Sequence, residues 1–148
     1  MILLSACLVG VNCRYDGTNI QNVDLLEKIK GEGFIPVCPE QLGGLLTPRP
    51  RATIVSGTGK EVITGKAKVI DINGNDVTGE FLKGAHEALK IAQLKKVETA
   101  ILKEKSPSCG IAFTNSDFKK VPGSGVCAAL LKREGIKILS ENNFEEIV

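Results

Sequence analysis

The sequence predicts an α/β fold, single-domain, with a mostly parallel sheet and helices on both faces in the flavodoxin-like or Rossmann-like manner. Three observations predict it. Short, nearly unbroken apolar runs at residues 2–8, 34–38, 99–102 and 136–139 have the character of strands covered on both sides. Segments with helical spacing separate these runs, and the alternation repeats along the chain. Right-handed crossovers then leave few topologies, of which the strand order 2-1-3-4, counting the four runs in sequence, is expected.

Residues 2–8 are interrupted only by Ser5, which marks a buried strand. Leu25, Leu26 and Ile29 recur at helical spacing until Gly31 and Gly33 stop the helix. Pro36 places the 34–38 strand at an irregular or edge position, because proline has no N–H for a neighbour on that side. Thr78 reads as the N-cap of a long helix with Phe81, Leu82, Ala85, Ala88, Leu89 and Ala92 on one stripe. Ser124 is expected to cap a second helix through Ala128 to Leu131, ended by Gly135. Residues 39–77 break the alternation. There, residues 51–55 and 61–64 flank Gly57-Thr58-Gly59 and read as a small β-hairpin insertion over about residues 48–75. Residues 69–72 add a strand before the Asn73-Gly74 turn. Insertions of this length are more often functional than idle.

The chain of 148 residues is one domain's length, read as a single domain over 1–148. With 43% hydrophobic and 24% charged residues it has a globular composition and not a disordered one. Nineteen Lys and Arg against seventeen Asp and Glu leave a net charge of +2, too balanced for a protein that coats nucleic acid or anionic membrane. No apolar run approaches the roughly 20 residues that cross a bilayer. Residues 1–7 lack the basic lead-in of a signal peptide, so a cytoplasmic location is expected.

Five cysteines stand out: Cys7, Cys13, Cys38, Cys109 and Cys127. An odd, scattered set without a C-x-x-C pair supports neither a disulfide framework nor a zinc ribbon. Their predicted positions are not scattered. Cys7 and Cys38 end the first and second strands, and Cys109 follows the third, at the carboxyl edge where open α/β sheets bind ligands. Adjacent strands lie about 4.8 Å apart, so thiols on three of them can converge on one soft-metal centre: zinc, Cu(I) or an iron–sulfur cluster. Three ligands leave a position open, as catalytic metal sites do. Cys13 in the same mouth is either a fourth thiolate or a guard of that position. Cys127, among Ala and Leu of a helix, reads as core.

Cys38-Pro39-Glu40 places a carboxyl group two residues past one thiol, and Ser106-Pro107-Ser108-Cys109 places two hydroxyls beside another. Such a carboxyl can carry a proton, and a hydroxyl can orient substrate or relay the proton. Arg49 and Arg51 sit on the loop after Glu40, where they can hold an anionic group, and Tyr15 and Asp16 are candidates for the same mouth. His86, flanked by Lys83, Glu87 and Lys90, reads as a surface residue.

These residues carry a family resemblance. Residues 5–10 (SACLVG), 14–17 (RYDG), 38–40 (CPE), 43–45 (GGL), 48–50 (PRP), 74–78 (GNDVT) and 106–110 (SPSCG) occur in order, and together resemble the domain of unknown function 523 family of thiouracil desulfidases. The resemblance spans about residues 2–140. It implies a [4Fe-4S] cluster held by Cys7, Cys38 and Cys109, the trio that strand-end placement also selects. It implies non-redox removal of sulfur from a thiolated pyrimidine such as 2-thiouracil, 4-thiouracil or thiouridine. The substrate sulfur would bind the unique iron and leave as sulfide, with Glu40 transferring protons and Ser106 as its polar partner. A free base or nucleoside is the expected substrate. The tRNA-directed relatives carry a further domain, and this chain shows no aromatic and basic platform for tRNA. No membrane partner is expected, and the chain is read as a monomer or homodimer. Two other readings stay open: a structural or regulatory zinc-thiolate protein, and a nucleotide-binding module based on the G-x-G-x-x-A match at Gly123 to Ala128. Residues 119–122 ahead of that match do not read as a clean strand.

Overall fold

Strand β1 (Ile2–Ser5) has no solvent face: Leu3 and Leu4 are both fully buried although they point to opposite sides. Leu3 joins one apolar cluster and Ile2 and Leu4 another, so the sheet is covered above and below. The same division splits Ala100 and Leu102 from Ile101 on β5 (Thr99–Leu102). This is why the runs read as unbroken apolar segments rather than as alternating ones. The computed structural model describes residues 1–147.

Four parallel strands form the first sheet in the order β2-β1-β5-β8, with β2 at Phe34–Val37 and β8 at Lys137–Ser140. This is the expected 2-1-3-4 arrangement. Pro36 lies on the edge strand β2, opposite Leu4, where its missing donor is harmless. Helix α1 (Val23–Ile29) covers one face through Leu25 and Ile29, with Asn22 capping it by accepting the Leu25 N–H at 3.0 Å. The other face is covered by α4 (Thr78–Leu94) and α5 (Val126–Arg133), whose Phe81, Ala85, Ala88, Cys127, Leu130 and Leu131 join the larger cluster.

The insertion is more than a hairpin. Strand β3 (Ala52–Val55) pairs antiparallel with β4 (Lys68–Asp71), and residues 61–64 do not form the expected second hairpin strand. They belong largely to α3 (Gly59–Ile63), because Thr58-x-x-Glu61 is a capping box: the Thr58 N–H donates to Glu61 Oε1 at 3.0 Å. Residues 119–122 are a strand after all. β7 (Lys119–Pro122) pairs antiparallel with β6 (Phe113–Ser116), giving a second, mixed sheet in the order β4-β3-β6-β7. Its lysines and proline mask the signal, yet they suit an exposed sheet edge. Two caps also differ from expectation. Gly125, not Ser124, precedes α5, and Thr78 lies inside α4, its hydroxyl accepting the Val69 N–H at 2.9 Å to tie the helix to β4. The first strand stops at Ser5, and residues 6–8 turn into a single 3-10 turn (Ala6–Val9) closed by Gly10 at φ 95°.

Candidate active site

Chain reversal at Ala6–Val9 sets Cys7 on a tight turn at the carboxyl end of β1, its carbonyl accepting from Ile20 N at 2.9 Å. Cys38 directly follows the neighbouring β2 and opens the short helix α2 (Pro39–Leu42). That helix lies on α4 at a distance only two glycines permit. A Cβ on Gly84 would stand 1.8 Å from the Pro39 carbonyl oxygen, and one on Gly43 would stand 1.9 Å from that of Glu80. The crossing fixes where Cys38 and Glu40 project.

Cys109 reaches the same place from β5 by another device. The carbonyls of Gly110, Pro107 and Ser108 accept the N–H groups of Gly125, Val126 and Cys127 at 2.8, 2.9 and 2.8 Å, and Ser108 also accepts from Ala128 at 3.1 Å. A Cβ on Gly125 would meet the Ser108 carbonyl carbon at 2.5 Å, so glycine is required there for this docking. The match to a nucleotide-binding turn thus has a different use. The first amides of α5, which would cradle a phosphate, are already taken by the 106–110 loop.

One cavity of about 320 Å³ at this sheet edge is lined by Cys7, Cys13, Cys38 and Cys109 together with Glu40, Arg49, Tyr15, Ser106 and Ser108. The four thiols are free. Cys127 is fully buried in the core, as expected, and His86 is exposed. Asp16 is a correction: it does not line the cavity but is exposed and accepts the Thr18 N–H at 3.1 Å, closing the RYDG loop on itself. The Arg49 side chain is 5% exposed and pairs with Glu40.

The polar groups form a directed chain. Ser106 Oγ accepts the N–H groups of Ser108 and Cys109, each at 3.1 Å, and lies 3.0 Å from Ser108 Oγ. Its own proton therefore points at Ser108, whose hydroxyl donates to Glu40 Oε2 at 3.0 Å. The direct partner of Glu40 is thus Ser108, with Ser106 one step behind. Ser108 Oγ also lies 3.6 Å from Cys109 Sγ. The other carboxylate oxygen, Oε1, receives Arg49 Nε at 3.1 Å.

Burial pushes the Cys109 thiol up to about 12, against the hydrogen bonds of Ser5 and Ser108. Cys38 is raised by its hydrogen bond with Cys13 and then by burial. The contact with Cys38 pulls Cys13 down, but its contact with Cys7, burial and the Cys7 charge outweigh this and push it up to about 11. These three thiols are therefore protonated at neutral pH in the free protein, and a bound metal must displace their protons.

The donor set is rich in thiols. Among the described residues no three His, Cys, Asp or Glu side chains are gathered closely enough to surround one metal-ion position. Cysteine thiolates are the usual ligands of iron–sulfur clusters, and Cys7, Cys38 and Cys109 line the same cavity.

The sequence reading missed Ser5, Lys103, Lys105 and Asn115 on the cavity wall. The strand-end rule could have found Ser5 and the two lysines, which flank the carboxyl ends of β1 and β5. Asn115 comes from β6, a strand without an apolar signal. Glu104 is buried at the same wall but serves the scaffold, accepting Ile111 N at 2.6 Å and Phe113 N at 3.1 Å.

The chain resembles known proteins over nearly its whole length. A family model described as 2-thiouracil desulfurase matches residues 2–143. The chain is 43% identical over 151 residues to the uncharacterized protein YbbK of Bacillus subtilis (strain 168), with all of both chains covered. Its fold is similar to that of the [4Fe-4S]-dependent thiouracil desulfidase TudS, with TM-score 0.85 and 39% identity over 98% of this chain and 93% of that one. Among the described residues no helix is long and apolar enough to cross a membrane.

Proposed function

The chain belongs to the 2-thiouracil desulfurase family, and from that premise we propose that it removes sulfur from a thiolated pyrimidine, as free base or nucleoside, by a hydrolytic and non-redox route. The observation that carries this reading is the convergence of Cys7, Cys38 and Cys109 with Glu40 on one cavity. Cys7, Cys38 and Cys109 would hold a [4Fe-4S] cluster. When bound, such a cluster would supply Lewis-acidic iron to polarise the C–S bond.

The remaining chemistry falls to the chain. Glu40 Oε2 accepts the proton of the attacking water, directly or through Ser108, and returns it as the sulfur departs. The Ser106 hydroxyl fixes the rotamer of Ser108, so that the relay points at the carboxylate. Tyr15 and Pro107 line the same wall and offer apolar surface to a flat ring. Cys13, buried against Cys38 and Cys7, would lie beside the ligands without being one of them.

The test is anaerobic. After cluster reconstitution the protein should convert 2-thiouracil to uracil and sulfide with no added reductant. Alanine at Cys7, Cys38 or Cys109 should abolish this, and Glu40→Ala should slow it by about 10²–10⁴-fold while bound iron is retained. Turnover that requires a reductant, or full turnover in Glu40→Ala, contradicts the reading.

A further inference from the structure

We infer that Arg49 is a positioning residue for Glu40, not a substrate-binding cation; this rests on the desulfidase reading for its kinetic consequence but not for its geometry. An arginine beside an active-site cavity invites the reading of an anion clamp. The contacts here leave little for that task. Arg49 Nε donates to Glu40 Oε1 at 3.1 Å, and Nη2 donates to the Cys13 carbonyl at 2.8 Å. Nη1 donates to Thr47 Oγ1 at 2.9 Å and to the Leu46 carbonyl at 3.3 Å. Four of about five guanidinium N–H groups are therefore engaged inside the protein, and the side chain is only 5% exposed.

The backbone completes the clamp, because Arg49 N donates to the Tyr15 carbonyl at 2.8 Å. One residue thus joins the loop bearing Cys13 and Tyr15 to the helix bearing Glu40. Its effect on the carboxylate is specific. With Oε1 held by the guanidinium and Oε2 held by Ser108, rotation of the carboxylate costs both hydrogen bonds. Arg49 selects Oε2 as the oxygen that moves protons. A flexible ammonium cannot reproduce this, since it lacks the planar fork that reaches carboxylate, carbonyl and hydroxyl together.

The test uses Arg49→Met, Arg49→Lys, Glu40→Gln and the double variant Glu40→Gln/Arg49→Met, each with bound iron quantified. Arg49→Met should lower kcat by about 10²-fold, the usual consequence of displacing a reacting group by about 1 Å, with KM and bound iron close to those of the parent. Arg49→Lys should recover part of the loss. The double variant should be no slower than Glu40→Gln, because both changes act on one group. A crystal structure of cluster-free Arg49→Met should show the Glu40 carboxylate rotated away from Ser108. Effects that multiply in the double variant, a raised KM with unchanged kcat, or loss of bound iron overturn the assignment. So does a Glu40–Ser108 hydrogen bond that survives the Arg49→Met change. If the parent protein desulfurates nothing, the functional reading fails while the crystallographic result still decides the role of Arg49.

Discussion

Replacing Gly84 by alanine tests how the helix crossing positions the site. The added Cβ would sit 1.8 Å from the Pro39 carbonyl oxygen, and carbon–oxygen contacts close no nearer than about 3.3 Å. Helix α2 must therefore retreat from α4 by about 1.5 Å, and Cys38 and Glu40 move with it. Overpacking of this kind costs about 1–3 kcal/mol, a fall in melting temperature of about 2–10 °C for a chain of this size. The functional loss should be larger in proportion, because displacing Glu40 by about 1 Å lowers turnover by roughly 10²-fold. Gly79→Ala is the matched control. It lies on the same helix with nothing within 4 Å of its Cβ, so it should leave stability unchanged or raised by up to about 1 kcal/mol. Differential scanning calorimetry and anaerobic desulfidase assays read both effects. Equal melting temperatures and equal turnover in the two variants would refute the claim that Gly84 sets the position of α2.

Other perturbations separate the roles within the molecule. Ser108→Ala removes the hydrogen bond to Glu40 Oε2 and should slow turnover by about 10–100-fold, as loss of a bond to a charged group of about 1.5–3 kcal/mol implies; unchanged kcat means the relay is not used. Cys13→Ser should keep bound iron and labile sulfide, whereas serine at Cys7, Cys38 or Cys109 should lose them; iron loss in Cys13→Ser would make Cys13 a ligand. Asp71 accepts from the N–H groups of Asn73 and Asn75 and from the Asn75 side chain, which holds its carboxyl below the usual range. Its stabilising effect is thus fully present above about pH 4 and fades as pH falls through the depressed folded value. Urea titrations should therefore show Asp71→Asn less stable than the parent at pH 7, with the gap closing in acid; a gap that widens in acid contradicts this sign.

The central sheet was legible in the sequence because its strands are buried on both faces. Runs such as residues 2–5 and 99–102 then need no periodicity to be recognised, and Pro36 announces the edge. The second sheet was not legible for the opposite reason. Its strands β6 and β7 carry Thr, Asn, Ser and Lys, with Asn115 of β6 lining the cavity and β7 exposed at the sheet edge. Residues 61–64 looked like a strand from Val62, Ile63 and Thr64, and the capping box at Thr58 and Glu61 was the contrary signal. Strand ends point to one cavity for Cys7, Cys38 and Cys109, although Cys7 lies on the turn after β1 and not on the strand. The polar chain was only half visible. Adjacency in sequence suggested that Ser106 and Ser108 belong near a thiol, but only the docking of their loop on α5 shows which hydroxyl meets Glu40. Asp16 misled because RYDG is a turn whose aspartate satisfies its own backbone.

The measurement that tests the account most directly is single-turnover desulfuration of 2-thiouracil by anaerobically reconstituted protein without reductant, with bound iron and labile sulfide quantified on the same sample. The account predicts uracil formed in proportion to intact cluster, at one turnover site per chain. Full reconstitution with no uracil, or uracil formed equally by protein stripped of iron, would contradict it.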